Sequence, residues 1–348
     1  MGLLARRAGR PALAAALFLA ALAPVPQALA DETPIRAQPI ARFAIGRDTV
    51  RFGALDYRGG FSYASSDRRL QGVSSIRMKP LGAGFLAVTD TGFWFAGTIR
   101  RDAQGRPVGI AEARIAPILN PAGRPMPNKG QADAEGLAIR DGEALVSFER
   151  DHRIEAFRPA WTPFEAKGRR LPLPIPRREL RGNGGIETIA AAPQDSPLRG
   201  AVVVVAEQSV DGDGNLFAAI LGRGLFKVRR ALPWAVTDGT FLPGGDLLLL
   251  ERRYEGFGRV GMRIRRIDGE TIRPGALVDG PVLMEADLGE EIDNMEGIDA
   301  WQDADGQTYL SLVSDDNGSI FQRNLYLEFR LAEDRQAAGP QAAAGASR

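Results

Sequence analysis

Carboxylates at recurring positions are the residues of this chain best placed to do chemistry. Glu135, Glu187, Asp238 and Glu296 each stand near the start of a short strand-like segment, with Ser74 in the matching place of a fifth. A second set, Asp90, Glu149, Glu207, Glu251 and Asp315, closes the apolar run that follows each of them. Acids gathered in phase repel one another unless a cation or a bound proton compensates. The chain has no cysteine and a single histidine, His152, so thiolate chemistry and multi-histidine metal centres are excluded. Oxygen-only ligation suits hard cations, which makes Ca2+ or another divalent ion the expected cofactor. The expected ligands are Glu135, Glu187, Glu207, Glu251, Glu296, Asp90 and Asp315.

Two further features bear on catalysis. Glu149-Arg150 recurs as Glu251-Arg252 at the same strand position. A guanidinium beside a metal-binding acid suits phosphate, although two salt-bridged strand ends would read the same way. His152, three residues past Glu149, is either a proton donor to a leaving oxygen or a surface histidine in a charged loop. The catalytic candidates are therefore Glu135, Glu149, Arg150, Arg252 and His152, with a ring carboxylate as base. The run Asp211-Gly212-Asp213-Gly214-Asn215 begins like a calcium loop, but Leu216 and Gly222 stand where glycine and the closing acid are needed, so it reads as a turn.

The elements that must position these side chains are strands. Short apolar or alternating runs punctuated by Gly, Pro, Asp and Asn fill the chain, and helical periodicity is scarce. One plan repeats roughly every 50–60 residues: a short strand, a turn, then an apolar strand ending in an acid. Such a period predicts an all-β fold, a β-propeller with five or six four-stranded blades. Outer strands are expected at Phe93–Arg100, Arg153–Arg158, Phe217–Val228, Met262–Ile267 and Leu325–Leu331. Ile40–Ser65 either closes the ring against the last strand or belongs to a sixth blade. Alternate prolines in Leu171-Pro172-Leu173-Pro174-Ile175-Pro176 rule out a central strand and predict an extended connection.

The first thirty residues have the parts of an export signal: Arg6, Arg7 and Arg10, an apolar run from Ala12 to Ala23, and the small-residue site Ala28-Leu29-Ala30. The apolar run is short for a bilayer-spanning helix. Cleavage would leave residues 31–331 as one domain, with a disordered tail at 332–348, in the periplasm or outside the cell. The export route, general secretory or twin-arginine, is open. The whole chain has 44 Lys and Arg against 43 Asp and Glu, and removing the leader leaves it slightly acidic. That excludes the basic footprint of a nucleic-acid binder. No integral membrane segment is expected after the leader.

Gly72-Val73-Ser74-Ser75-Ile76 with Val88-Thr89-Asp90, Asp133-Ala134-Glu135-Gly136-Leu137-Ala138 with Ser147-Phe148-Glu149-Arg150, Asn183-Gly184-Gly185-Ile186-Glu187, and Asn294-Met295-Glu296-Gly297-Ile298 carry a family resemblance. Across Phe52 to Arg330 the chain resembles the phytase-like family, labelled for the esterase-like activity of phytase. The resemblance implies a propeller and a small-molecule ester or phosphoester as substrate. Only four lysines are present, which departs from the lysine-rich phosphate sites of β-propeller phytases and argues against strict phytate specificity. Two other functions remain open on the residues alone. One is a non-catalytic propeller that binds a small molecule or protein partner with any metal structural; the other is a lactonase-like carbon-ester hydrolase.

Overall fold

A computed structural model describes Gly2, residues 30–256 and residues 258–332. The leader and tail expectations fall almost wholly outside these residues. Five antiparallel sheets stand around an axis, and each presents its first strand to the centre. These inner strands are Val73–Met78, Ala134–Arg140, Ile186–Ala191, Ala235–Phe241 and Asn294–Gln302. Each packs against the next, and the fifth packs against the first, which closes the ring. The molecule is a five-bladed β-propeller, and the sheets are numbered here as blades 1 to 5 in the order of those strands.

The segment of uncertain place closes the ring. Leu55–Ser65 pairs with Asn324–Leu331, so blade 5 takes its three inner strands from the C-terminal part of the chain and its fourth from the N-terminal part. Ile35–Ile40 adds a further edge strand to the same sheet. There is no sixth blade among the described residues. The stretch expected as one strand at 217–228 is two, Leu216–Ile220 and Gly224–Val228, joined by a tight turn. The proline-rich stretch contributes the short edge strand Arg169–Leu171 and then leaves the sheet.

Uninterrupted apolar runs follow from this architecture. A blade is covered on both faces by its neighbours, so alternate residues of one strand enter different cores. Val203 and Val205 pack toward blade 4 with Leu247 and Leu249, whereas Val202 and Val204 pack toward blade 2 with Leu145 and Ile154. Leu248 and Leu250 meet Leu310, Leu312 and Leu327 of blade 5. Five such clusters fill the five gaps between blades.

Near its start every inner strand carries a β-bulge, which sets two residues against one on the next strand. A bulge re-aims a side chain out of the ladder. Here it turns one residue per blade toward one end of the central channel. At Gly136 the blades approach so closely that a Cβ would lie 2.4 Å from the Glu187 carbonyl oxygen. Gly136→Ala is therefore expected to cost about 1–3 kcal/mol in a urea titration, with the slope unchanged.

Candidate functional site

The bulge residues are Ser74, Glu135, Glu187, Thr237 and Glu296, and all five line a cavity of about 270 Å³ at the channel mouth. A second tier comes from the adjacent strand of each blade: Asp90, Glu149, Glu207, Arg252 and Asp315. Eight of the ten positions match the two sets read from the sequence. Blade 4 differs, because its register runs one residue away from the acid-to-acid match. Val236 pairs with Glu251 and Asp238 with Leu250, so Thr237 is the bulge and Arg252 points into the cavity.

Asp238 and Glu251, the acids displaced by that step, are fully occupied elsewhere. Glu251 is 1% exposed and held by Arg263 at 2.6 Å and Arg265 at 2.5 Å. It does not reach the cavity, and it shares no place in the ring with Glu149; Arg252 is the counterpart of Glu149. Asp238 lies below the mouth, where the Arg77 guanidinium pairs with it at 3.0 Å. Arg77 also donates to the carbonyls of Ile298, Ile189 and Gly239 at 2.8–3.1 Å, reaching across the channel to blades 3, 4 and 5. Asp299 accepts from the Met78 amide at 2.7 Å and from the Thr240 hydroxyl at 2.8 Å. The channel is thus plugged, and the mouth is a pit.

Around the pit, side chains beyond the two tiers complete the lining. Asp133, two residues before Glu135 on the same strand approach, is 2% exposed and paired with Arg150 and with Lys129 at 3.6 Å. Lys129 also pairs with Asp90. Arg252 pairs with Glu296 and sits 3.7 Å from Glu207. One Glu149 oxygen accepts the amides of Gly184 and Gly185. The Gly184 φ of 93° and the His152 ring, 2.6 Å from where a Gly185 Cβ would sit, require glycine at both places. His152 itself packs behind that loop, 4% exposed and outside the cavity lining. Burial, the largest influence, pushes its imidazole pKa down. Asp211–Asn215 is the expected turn, with Asp211 accepting two amides of its own loop.

Two overlapping sets of carboxylates could hold a cation. Asp133, Glu135 and Glu149 form one, and Glu149, Glu187 and Glu207 the other; within each, one oxygen per residue lies within 4.8 Å of the others. In the first set Asp133 is already paired with Arg150 and Lys129. In the second, Glu187 is 8% exposed and, among the described residues, has no hydrogen bond or ion pair. An ionised carboxylate is costly to bury without a partner, so this arrangement calls for a cation or a proton.

The sequence matches the family described as "Phytase-like: Esterase-like activity of phytase" over residues 68–318. The chain belongs to this family. No curated protein matches it in sequence. Among solved structures, an endo-arabinase from Bacteroides thetaiotaomicron is similar at 9% identity, covering 76% of this chain and 96% of that one, with a TM-score of 0.48. A PQQ-bound aldose sugar dehydrogenase from Streptomyces coelicolor is 14% identical over 85% and 99% of the two chains, with a TM-score of 0.41. An α-L-arabinanase from Cellvibrio cellulosa is 14% identical over 76% and 94%, at 0.42. Likenesses this remote carry no argument about what the phytase-like chain does.

Eight carboxylates and three cations line the pit of this phytase-like propeller, so the surplus charge is negative. Burial first, and neighbouring acids second, push Glu135 and Glu187 well above the usual carboxylate range. Burial raises Glu207 and Asp90 too, against the pull of Arg252 on one and Lys129 on the other. Glu296 and Asp315 are each pushed up to about 7, again chiefly by burial. The site therefore takes up protons near neutrality where no cation is present. No described helix is long and apolar enough to cross a membrane.

Proposed function

We propose that this phytase-like propeller is an exported hydrolase of phosphate esters or related small-molecule esters, assisted by a divalent cation such as Ca2+. The observation that carries the reading is Glu187: buried, unpartnered, and facing Glu149 and Glu207 across a cavity with surplus negative charge. The donor set is entirely oxygen, which fits a hard cation, and Glu149, Glu187 and Glu207 would hold it. When bound, such a cation polarises a phosphoryl or carbonyl oxygen and offsets the charge that develops on it.

The chain's own residues supply the rest. Arg252 presents a guanidinium from the one tier position that is not acidic or neutral, and its fork can hold anionic ester oxygens. Glu135, a bulge carboxylate in the lining of the same cavity, can take a proton from an attacking water. The Ser74 and Thr237 hydroxyls offer uncharged donors between the acids. The Arg77 plug limits access to the mouth, so substrate enters and product leaves by the same opening.

The test is turnover of a nitrophenyl phosphate, phytate and a nitrophenyl acetate with calcium and with chelator. Chelation is expected to abolish turnover of at least one ester, and Glu187→Gln to lower it at least 100-fold while weakening calcium binding in calorimetry. Turnover indifferent to both would overturn the cation-assisted mechanism. Calcium binding with no turnover of any ester would favour the non-catalytic propeller.

A further inference from the structure

Every residue that lines the pit is polar. A cavity of about 270 Å³ with such walls takes the charged head of an ester and leaves any apolar body outside, over the rim. The rim itself is two-sided. Toward blades 2 and 3 it carries Lys129, Arg150, Asn183 and Gln208. Blades 4 and 5 present the opposite chemistry. The four most exposed large apolar side chains among the described residues are Leu232, Tyr254, Ile320 and Phe321, and all belong to the segments of these two blades at the mouth.

Strand register places them. Arg252, Arg253 and Tyr254 pair in unbroken succession with Met262, Gly261 and Val260, so Tyr254 shares the strand face of Arg252. At about 3.3 Å per residue it stands roughly 7 Å farther out along the strand than Arg252, which points into the pit. On blade 5 the turn that follows Asp315 starts in the cavity lining with Asp315 and Asn317, and Asn324 ties its base to Asp316 at 2.7 Å. Ile320 and Phe321, 92% and 89% exposed, form the crown of that turn, which the Gln322 amide closes on the Ser319 carbonyl. Leu232 lies three residues before Ala235, the strand partner of Arg252. Side chains this exposed gain little burial from folding, so their apolar surface is free to cover a ligand.

Resting on the hydrolase reading above, we infer that the substrate is an amphiphile, a phosphate ester whose anionic head enters the pit beside Arg252 and whose apolar chain lies over Tyr254, Ile320 and Phe321. Arg252 is the one cation of the two tiers, and Tyr254 rises from the same strand. A head held by that guanidinium therefore carries its chain out over blades 4 and 5. A purely polar ester would leave this side of the rim in water. Tyr254, Ile320 and Phe321 thus set specificity and take no part in the chemistry.

Chain length is the probe. Methyl-, butyl- and octylphosphonate share one anionic head, and their carbon–phosphorus bonds resist hydrolysis, so binding to the whole protein with calcium is read by calorimetry apart from turnover. Octylphosphonate is expected to bind at least about 30-fold more tightly than methylphosphonate, because its added methylenes leave water on the rim. In the double variant Ile320→Ser, Phe321→Ser, and in Tyr254→Ser, that preference should shrink below about fivefold, with thermal melts matching wild type because the replaced side chains are exposed. Equal affinities along the series, or a preference that survives these substitutions, would overturn the proposal and leave the hydrolase reading intact. Wild-type protein that sediments with phosphatidylcholine vesicles but shows no chain-length preference would also overturn it, and would give the two loops to a lipid surface. A chain-length preference without turnover of octyl phosphate or any nitrophenyl ester would sink the hydrolase reading, and the amphiphile would be a ligand rather than a substrate.

Discussion

Arg77→Leu is expected to lower the stability of the propeller by about 3–5 kcal/mol, the largest loss foreseen for a single polar side chain in this molecule. Arg77 is 5% exposed, and its partner Asp238 is completely buried. Without the guanidinium, Asp238 keeps the Ser75 hydroxyl at 2.9 Å and the Gly239 and Ile298 amides at 2.7 and 3.1 Å. It loses the one charge partner it has among the described residues, in the middle of a closed ring. The carbonyls of Ile76, Ile189, Gly239 and Ile298 lose a donor at the same time. A buried ion left unpaired costs more than the pair itself contributed, because its desolvation is no longer offset. The double variant Arg77→Leu, Asp238→Leu should therefore recover part of the loss, with clear non-additivity. Urea midpoints at unchanged slope would measure both. A loss below 1 kcal/mol for Arg77→Leu would show that the plug is not holding the inner strands together.

The propeller was legible because its physics is periodic. Each blade needs an apolar strand buried on two faces, and runs such as Val202–Ala206 and Leu247–Leu250 announce that at regular intervals. The ring closure was half legible: Phe61 and Tyr63 look like strand residues, but pairing with Asn324–Leu331 is a contact across almost the whole chain. Spacing fixed neither its partner nor the blade count.

The site was legible in four blades and shifted in the fifth for a specific reason. Matching acids to acids works where the bulge residue is acidic, as at Glu135, Glu187 and Glu296. Blade 4 has threonine there, with an acid one residue later, and its next strand ends in Glu251-Arg252. The acid match therefore selected Asp238 and Glu251, which face away from the cavity, and treated Glu149-Arg150 as the equal of Glu251-Arg252. A bulge breaks the two-residue alternation that would have shown the slip. Two other residues left signals that went unread. Asp133 shares the spacing of a strand face with Glu135, and Arg77 is a lone arginine between Ile76 and Met78 in an otherwise uncharged strand.

The same pit should make stability depend on pH in a direction set by cation occupancy. Without a cation, Glu135, Glu187, Glu207, Asp90, Glu296 and Asp315 all hold their protons more tightly in the folded chain than a free carboxyl does, the last two up to about 7. Between the ordinary carboxyl range near pH 4 and about pH 7 the native state thus binds more protons than the unfolded chain, and its stability falls as pH rises. Acids with the opposite shift act elsewhere: Arg69 holds Asp67 down to about 2, so its contribution is lost only below pH 4. Chelated protein should therefore melt at a lower temperature at pH 8 than at pH 5. On the cation-assisted reading proposed above, calcium would compete with those protons, so its affinity would rise with pH, and ions bound only to the folded state stabilise it by about 2.7 kcal/mol at a hundred times Kd. Calcium should raise the melting temperature several times more at pH 8 than at pH 5 and remove the alkaline fall, and Glu187→Gln should blunt both effects. Equal calcium shifts at the two pH values, or a chelated protein that melts at one temperature from pH 5 to pH 8, would mean that the crowded acids of the mouth do not exchange protons for a cation.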